Sequence, residues 1–214
     1  MKKMIGFLVS VACATLLVCS SASALDFDFS GTFTYDNDVI LLDFTVGEAS
    51  TITIFSSSWV DGGFDPILAI WDSAGTRMSQ QDDGGVVGTT ASNGVDYTHG
   101  TWDSYYNVDL AAGSYTASIA QFNNFSVSTS LSDGFTHDGN INFTNDLGYG
   151  TEEYFNGVWA SEDSRTGDWA FHILNVAEAT QQDPGNAPVP EPATMFLLGT
   201  GLIGLVGSRK KFKK

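Results

Sequence analysis

Two short stretches place carboxylates on glycine-rich backbone: Asp61-Gly-Gly-Phe-Asp65 and Asp82-Asp83-Gly84-Gly85. Calcium takes roughly six to eight oxygen ligands in a flexible cage, and backbone freed by glycine lets carbonyls join the carboxylates. Carboxylates that converge without a cation repel one another. Asp61, Asp65, Asp82, Asp83 and Asp103 are therefore the candidate ligands of a calcium ion. The competing reading is that Asp and Gly are ordinary turn formers, and no EF-hand loop pattern is present. Trp59 and Trp102 adjoin Ser- and Asp-rich loops and suit the rim of a ligand site, where an indole stacks on a sugar. Trp71 stands in an alternating run and reads as core.

Other chemistry is thinly represented. His99, His137 and His172 are far apart in sequence, and there is no H-E-x-x-H, G-x-S-x-G or Walker loop. His172 falls in the last expected strand and reads as structural. Glu152-Glu153 is an adjacent pair, but glycoside hydrolysis depends on a separation in space that adjacency does not supply. Cys13 and Cys19 both precede residue 25, so the remainder has no disulfide, thiol nucleophile or thiolate metal site. The chain reads as non-enzymatic, with a secreted hydrolase as the least favoured alternative.

The elements that must position these residues are strands. Phe27–Tyr35, Val39–Val46, Thr51–Phe55, Ile67–Trp71, Tyr115–Ala120, Phe125–Leu131 and Trp169–Val176 are short apolar or alternating runs between turn residues. In the second, Ile40, Leu42, Phe44 and Val46 share one face. No amphipathic helix is evident between residues 25 and 190. Residues 132–167 are less regular, and some pairing is expected there because long structureless loops are unusual in compact domains. The fold class expected is all-β, a jelly-roll-like β-sandwich over residues 25–176. Residues 177–189, polar and bearing Pro184 and Pro188, read as a linker.

The two ends carry addresses. Lys2 and Lys3, the apolar stretch Met4–Val18 and Ala22-Ser23-Ala24 read as a signal helix over residues 1–24, cut by signal peptidase after Ala24. Lipid attachment at Cys19 is the weaker reading, since Val18 stands where a small residue belongs. At the other end, Pro190-Glu191-Pro192 is followed by the apolar run Ala193–Ser208 and by Arg209-Lys210-Lys211-Phe212-Lys213-Lys214. An apolar helix closed by a basic cluster stops in a membrane with its basic end in the cytoplasm. Sixteen residues span about 24 Å as a helix, short of a hydrocarbon core of about 30 Å. Gly199, Gly201, Gly204 and Gly207 weaken that single transmembrane helix, which suits a transient anchor; a permanent one is the alternative.

Charge divides along the same lines. Between Leu25 and Pro192, Arg77 and Arg165 stand against all 25 Asp and Glu, a net of −23 without any lysine. Such a surface repels nucleic acid and anionic lipid. It suits an exported protein, or one whose carboxylates are partly neutralised by divalent cations.

Residues 190–214 resemble the PEP-CTERM sorting signal of Gram-negative bacteria that make exopolysaccharide. The match lies in Val189-Pro190-Glu191-Pro192, the glycine-rich apolar span and the basic end. The resemblance implies recognition by exosortase, a membrane cysteine peptidase or transpeptidase. It also implies a brief stay in the inner membrane, removal of the tail, and delivery to the cell surface, outer envelope or extracellular matrix. A second resemblance covers roughly residues 36–121. Asp38-Val-Ile-Leu-Leu-Asp-Phe-Thr-Val46, Ser50-Thr-Ile-Thr-Ile54, Phe64-Asp65-Pro66-Ile67-Leu68-Ala69-Ile70-Trp71-Asp72, Gln81-Asp82-Asp83-Gly84-Gly85 and Ala111-Ala112-Gly113-Ser114-Tyr115-Thr116-Ala117 occur in the order seen in the bacterial pre-peptidase C-terminal domain. Arg165-Thr-Gly-Asp-Trp-Ala170 is similar to the closing strand of its PEP-CTERM-associated relatives. That likeness implies a non-catalytic β-sandwich, some of whose members bind calcium and some polymers.

The expectation is a secreted, calcium-associated surface or exopolysaccharide-matrix protein. The alternative is a carbohydrate-binding module for a matrix glycan.

Overall fold

The computed structural model describes residues 24–148, 154–158 and 164–183. The expected signal helix, the Pro190-Glu191-Pro192 motif and the expected C-terminal transmembrane helix lie outside the described residues. Among the described residues no helix is long and apolar enough to cross a membrane.

In chain order the strands are β1 (Leu25–Thr32), β2 (Val39–Val46), β3 (Ser50–Ser56), β4 (Pro66–Asp72), β5 (Arg77–Asp82), β6 (Gly88–Ser92), β7 (Val95–His99), β8 (Tyr105–Leu110) and β9 (Gly113–Gln121). The single-turn helix α1 (Phe143–Asp146) follows, then β10 (Gly157–Val158), β11 (Ser164–Arg165), β12 (Asp168–Val176) and β13 (Glu178–Gln181). One sheet has the order β1-β12-β3-β8 and the other β13-β2-β9-β4-β5, with antiparallel pairing throughout both. Alternation faces them together: Leu42, Phe44, Leu68, Ile70, Ala117 and Ile119 from the second sheet share one buried core with Ile52, Ile54, Phe171 and Ile173 from the first.

The outer face of the five-stranded sheet is covered in part. Ala69 and Trp71, which point away from that core, form a second cluster with Phe135, against which Leu131 packs. The segment after β9 therefore caps the outside of the five-stranded sheet. The expected strand Phe125–Leu131 does not form. Its pairing reduces to single bridges, Ser126 with Phe135 and Ser130 with Thr76; Leu131 packs over the cluster on β4, while Val127 is exposed and Phe125 meets Phe122. Asp36, wholly buried, accepts hydrogen bonds from Thr144 N (3.1 Å), Thr144 Oγ1 (2.5 Å) and Asn156 N (2.7 Å), and so ties the same excursion to the corner after β1. The first strand also ends earlier than expected. At residue 33 the chain turns, with Asp38 Oδ2 accepting from Thr34 N and Tyr35 N.

The segment expected as a linker from residue 177 begins as a strand. Glu178–Gln181 pair with Leu42–Thr45 of β2, and Ala179 enters the core. One small apolar residue among Glu, Thr and Gln is too weak a pattern to announce an edge strand. The hairpin β6–β7 also escaped the sequence reading, although Asn93-Gly94 marks it: both residues have positive φ, 49° and 79°, as a type I′ turn requires.

Candidate functional site

Ile67 of β4 lies opposite Asp82 of β5. The residue entering β4, Asp65, and those leaving β5, Asp82 and Asp83, therefore meet at one corner of the sandwich. A carboxylate oxygen from each lies within 4.8 Å of the others. Calcium–oxygen bonds of about 2.3–2.6 Å set opposed ligands roughly 5 Å apart, so all three oxygens fit on the shell of one ion. An all-oxygen donor set suits a hard cation rather than zinc or copper. Asp65 is 5% exposed. Asp82 Oδ1 and Asp83 Oδ1 are shielded from solvent and accept no hydrogen bond from the described residues. Burial, then the neighbouring charge of Asp83, pushes the Asp82 carboxyl up to about 6. Burial also raises Asp83. Asp82 and Asp83 thus each hold a shielded carboxylate oxygen with no hydrogen-bond partner among the described residues.

Local backbone fixes this corner. Asp83 adopts a left-handed conformation, φ 60°. Gly84 N donates to Asp103 O at 2.9 Å, and a Cβ on Gly84 would stand 2.3 Å from the backbone nitrogen of Tyr105. Only glycine allows that approach. Ser104 Oγ donates to Pro66 O at 2.7 Å, and Phe122 N to Asp65 O at 2.8 Å.

The other two expected ligands stand apart from this group. Asp103 Oδ1 accepts from Ser56 Oγ (3.0 Å) and Trp59 N (2.9 Å), and Oδ2 from Gly100 N (2.9 Å). Its carboxylate latches the end of β3 to two loop positions, and its contribution to the corner is its backbone oxygen. Burial raises its pKa, opposed by those bonds. Asp61 lies instead on the four-stranded sheet's side, beside a recess lined by Ser30, Thr32, Ser58 and Asp168.

The two rim tryptophans do come together, with ring centroids 6.0 Å apart. The Arg165 guanidinium lies over the Trp59 ring, 3.6 Å from its centroid, and donates to Gly63 O at 2.8 Å and to Trp59 O. Stacking of a sugar on that face of Trp59 has to compete with a cation already seated there.

One constellation was not read from the sequence. His172 Nδ1 meets Asp28 Oδ1 at 2.7 Å, and its Nε2 meets Ser57 Oγ at 3.1 Å. The order is that of a nucleophile, base and orienting acid. Access is absent: Ser57 and His172 are each 1% exposed. The imidazole packs on Phe55 at 4.4 Å and Tyr97 at 4.0 Å. In this setting the three groups satisfy one another beneath the β6–β7 hairpin, and a substrate carbonyl has no path to Ser57 Oγ. Their positions, 28, 57 and 172, are too distant in sequence for spacing to have revealed them.

Ala24, the expected cleavage residue, is exposed and immediately precedes β1. Residues 188–211 match the PEP-CTERM protein-sorting motif. No curated protein matches the chain. That motif is recognised by exosortase, so the chain is exported, processed at the membrane, and then extracellular or at the surface.

Proposed function

We propose that the exported chain is a non-enzymatic surface or exopolysaccharide-matrix protein whose β-sandwich binds calcium at Asp65, Asp82 and Asp83. The observation that carries the metal reading is the convergence of three carboxylates within 4.8 Å, two of them with shielded oxygens that accept no hydrogen bond from the described residues. A divalent cation would neutralise this corner, and carbonyls of the Asp83-Gly84-Gly85 turn or water would complete its shell. The ion's role is then structural. It would pin the start of β4 to the end of β5, and through Gly84 and Asp103 it would steady the loop bearing Trp59. Exosortase and signal peptidase are the processing partners in this reading, and the inner membrane is a stage of transit.

Thermal unfolding of the full-length chain in detergent, with calcium and with a chelator, tests the metal. A ligand at a hundredfold over its dissociation constant stabilises by about 2.7 kcal/mol, which for a chain of this size is a shift of about 5–10 °C. A saturable shift that Asp83→Asn abolishes is the expected result. Equal melting in calcium and chelator would sink the reading.

A further inference from the structure

The outer face of the five-stranded sheet is only partly capped, and the uncapped part forms an open groove of about 930 Å³. Its floor consists of two cross-strand rows. Thr180, Asp43 and Thr116 stand side by side across β13, β2 and β9, and Glu178, Thr45 and Ser114 form the next row. The first row is already organised: Asp43 Oδ1 accepts from Thr116 Oγ1 and from Gln182 Nε2, each at 2.9 Å. The opposite bank carries Leu131, flanked by Ser130 and Ser132, and Phe135. It is fastened to the β4–β5 turn by Leu131 N donating to Gly75 O at 2.9 Å. The groove thus offers a hydroxyl-rich floor and one apolar wall, the combination that receives a sugar chain's hydroxyls and ring faces.

Its charge narrows the ligand. Asp43, Asp72 and Glu178 line it, and among the described residues no Lys, Arg or His does. Arg77, the nearest cation in sequence, instead donates to Gln80 Oε1 at 2.8 Å and to Ser126 Oγ. Uronate, sulfated and phosphorylated polymers are repelled by such a lining, on a domain that is itself strongly negative. We propose that this groove binds a polysaccharide bearing free amines, a polymer of the glucosamine class. Its ammonium groups would face the three carboxylates, and its hydroxyls the Thr and Ser rows. The proposal stands apart from the calcium reading, because none of Asp65, Asp82 and Asp83 lines the groove.

The test is calorimetric titration of the full-length chain in detergent, at about pH 6 and in chelator. The probes are a glucosamine hexamer, its fully N-acetylated counterpart and an oligogalacturonate. The glucosamine hexamer is expected to bind at least tenfold more tightly than the acetylated one, with no binding of the uronate and with affinity falling as salt rises. Asp43→Asn is an exposed change and should weaken binding at least fivefold. Thr180→Arg, which sets a cation on the exposed edge strand, should abolish it. Asp96→Asn, on β7 against the other sheet, should leave it unchanged. Equal affinity for the amine and acetylated polymers, no binding of either, or equal loss in Asp43→Asn and Asp96→Asn would each overturn the proposal. Binding that appears only with calcium, and is lost in Asp83→Asn but kept in Thr180→Arg, would place the ligand at the carboxylate corner and overturn it too.

Discussion

Asp82 couples the corner to pH. Its folded pKa, about 6, exceeds the ordinary carboxylate value of about 3.9, so the folded chain holds a proton there that the unfolded chain has released. The contribution of this group is present below about pH 4 and is lost as pH rises through about 6. The metal-free chain is therefore expected to lose part of its stability over that window. Calcium, which needs the ionised carboxylate, should stabilise progressively more across the same window; melting curves at several pH values with and without the ion check both trends. Asp82→Asn separates the two effects by sign. It relieves repulsion and should raise the metal-free melting temperature at pH 7, by about 2–4 °C for each kcal/mol recovered, while removing the response to calcium. His172 behaves differently. Burial holds its pKa below the usual value, against the pull of Asp28, and keeps the imidazole neutral between Asp28 and Ser57. Ser57→Ala leaves a buried ring nitrogen without its partner and should cost about 1–3 kcal/mol in chemical denaturation. The same variant should leave calcium binding intact.

At the scale of elements, the corner depends on one close approach. Gly84→Ala forces a methyl against the backbone of Tyr105, and is expected to destabilise by about 1–3 kcal/mol and to weaken calcium binding by displacing Asp83; calorimetry and denaturation measure the two effects. What could be read in advance follows how each element is buried. β2 was legible end to end, since Leu42, Phe44 and Val46 alternate with Asp43 and Thr45. β4 was legible as a strand, yet its unbroken burial from Pro66 to Trp71 meant a cover on both sides that only the fold identified. β5, Arg-Met-Ser-Gln-Gln-Asp, is half-buried and polar, and its pairing comes from its neighbour rather than from its own pattern. Of the candidate ligands, Asp65, Asp82 and Asp83 converge because β4 and β5 are paired. Asp103 and Asp61 shared their composition and turn setting but not that register. Composition nominated five carboxylates, and strand pairing chose three.

For the whole molecule, the sorting motif at residues 188–211 and the folded domain occupy different stretches of the chain. Deletion of residues 190–214 should leave the domain's melting temperature unchanged while abolishing exosortase-dependent processing. Immunoblotting of cell and medium fractions, beside a strain lacking exosortase, reads that outcome. Identical processing with and without the tail would contradict the assignment. The junction between the units is β13, a strand with four residue pairs to β2, on an outer edge of its sheet. If the tail is held in a bilayer, drag on the domain enters through this strand. The other ladders of that sheet are longer, so mechanical failure would begin at β13. Glu178 and Thr180 would peel away and remove one edge of the groove floor before the core gives. The strand would then be a weak link under tension, and a domain pulled hard enough would open its groove while its core stays folded.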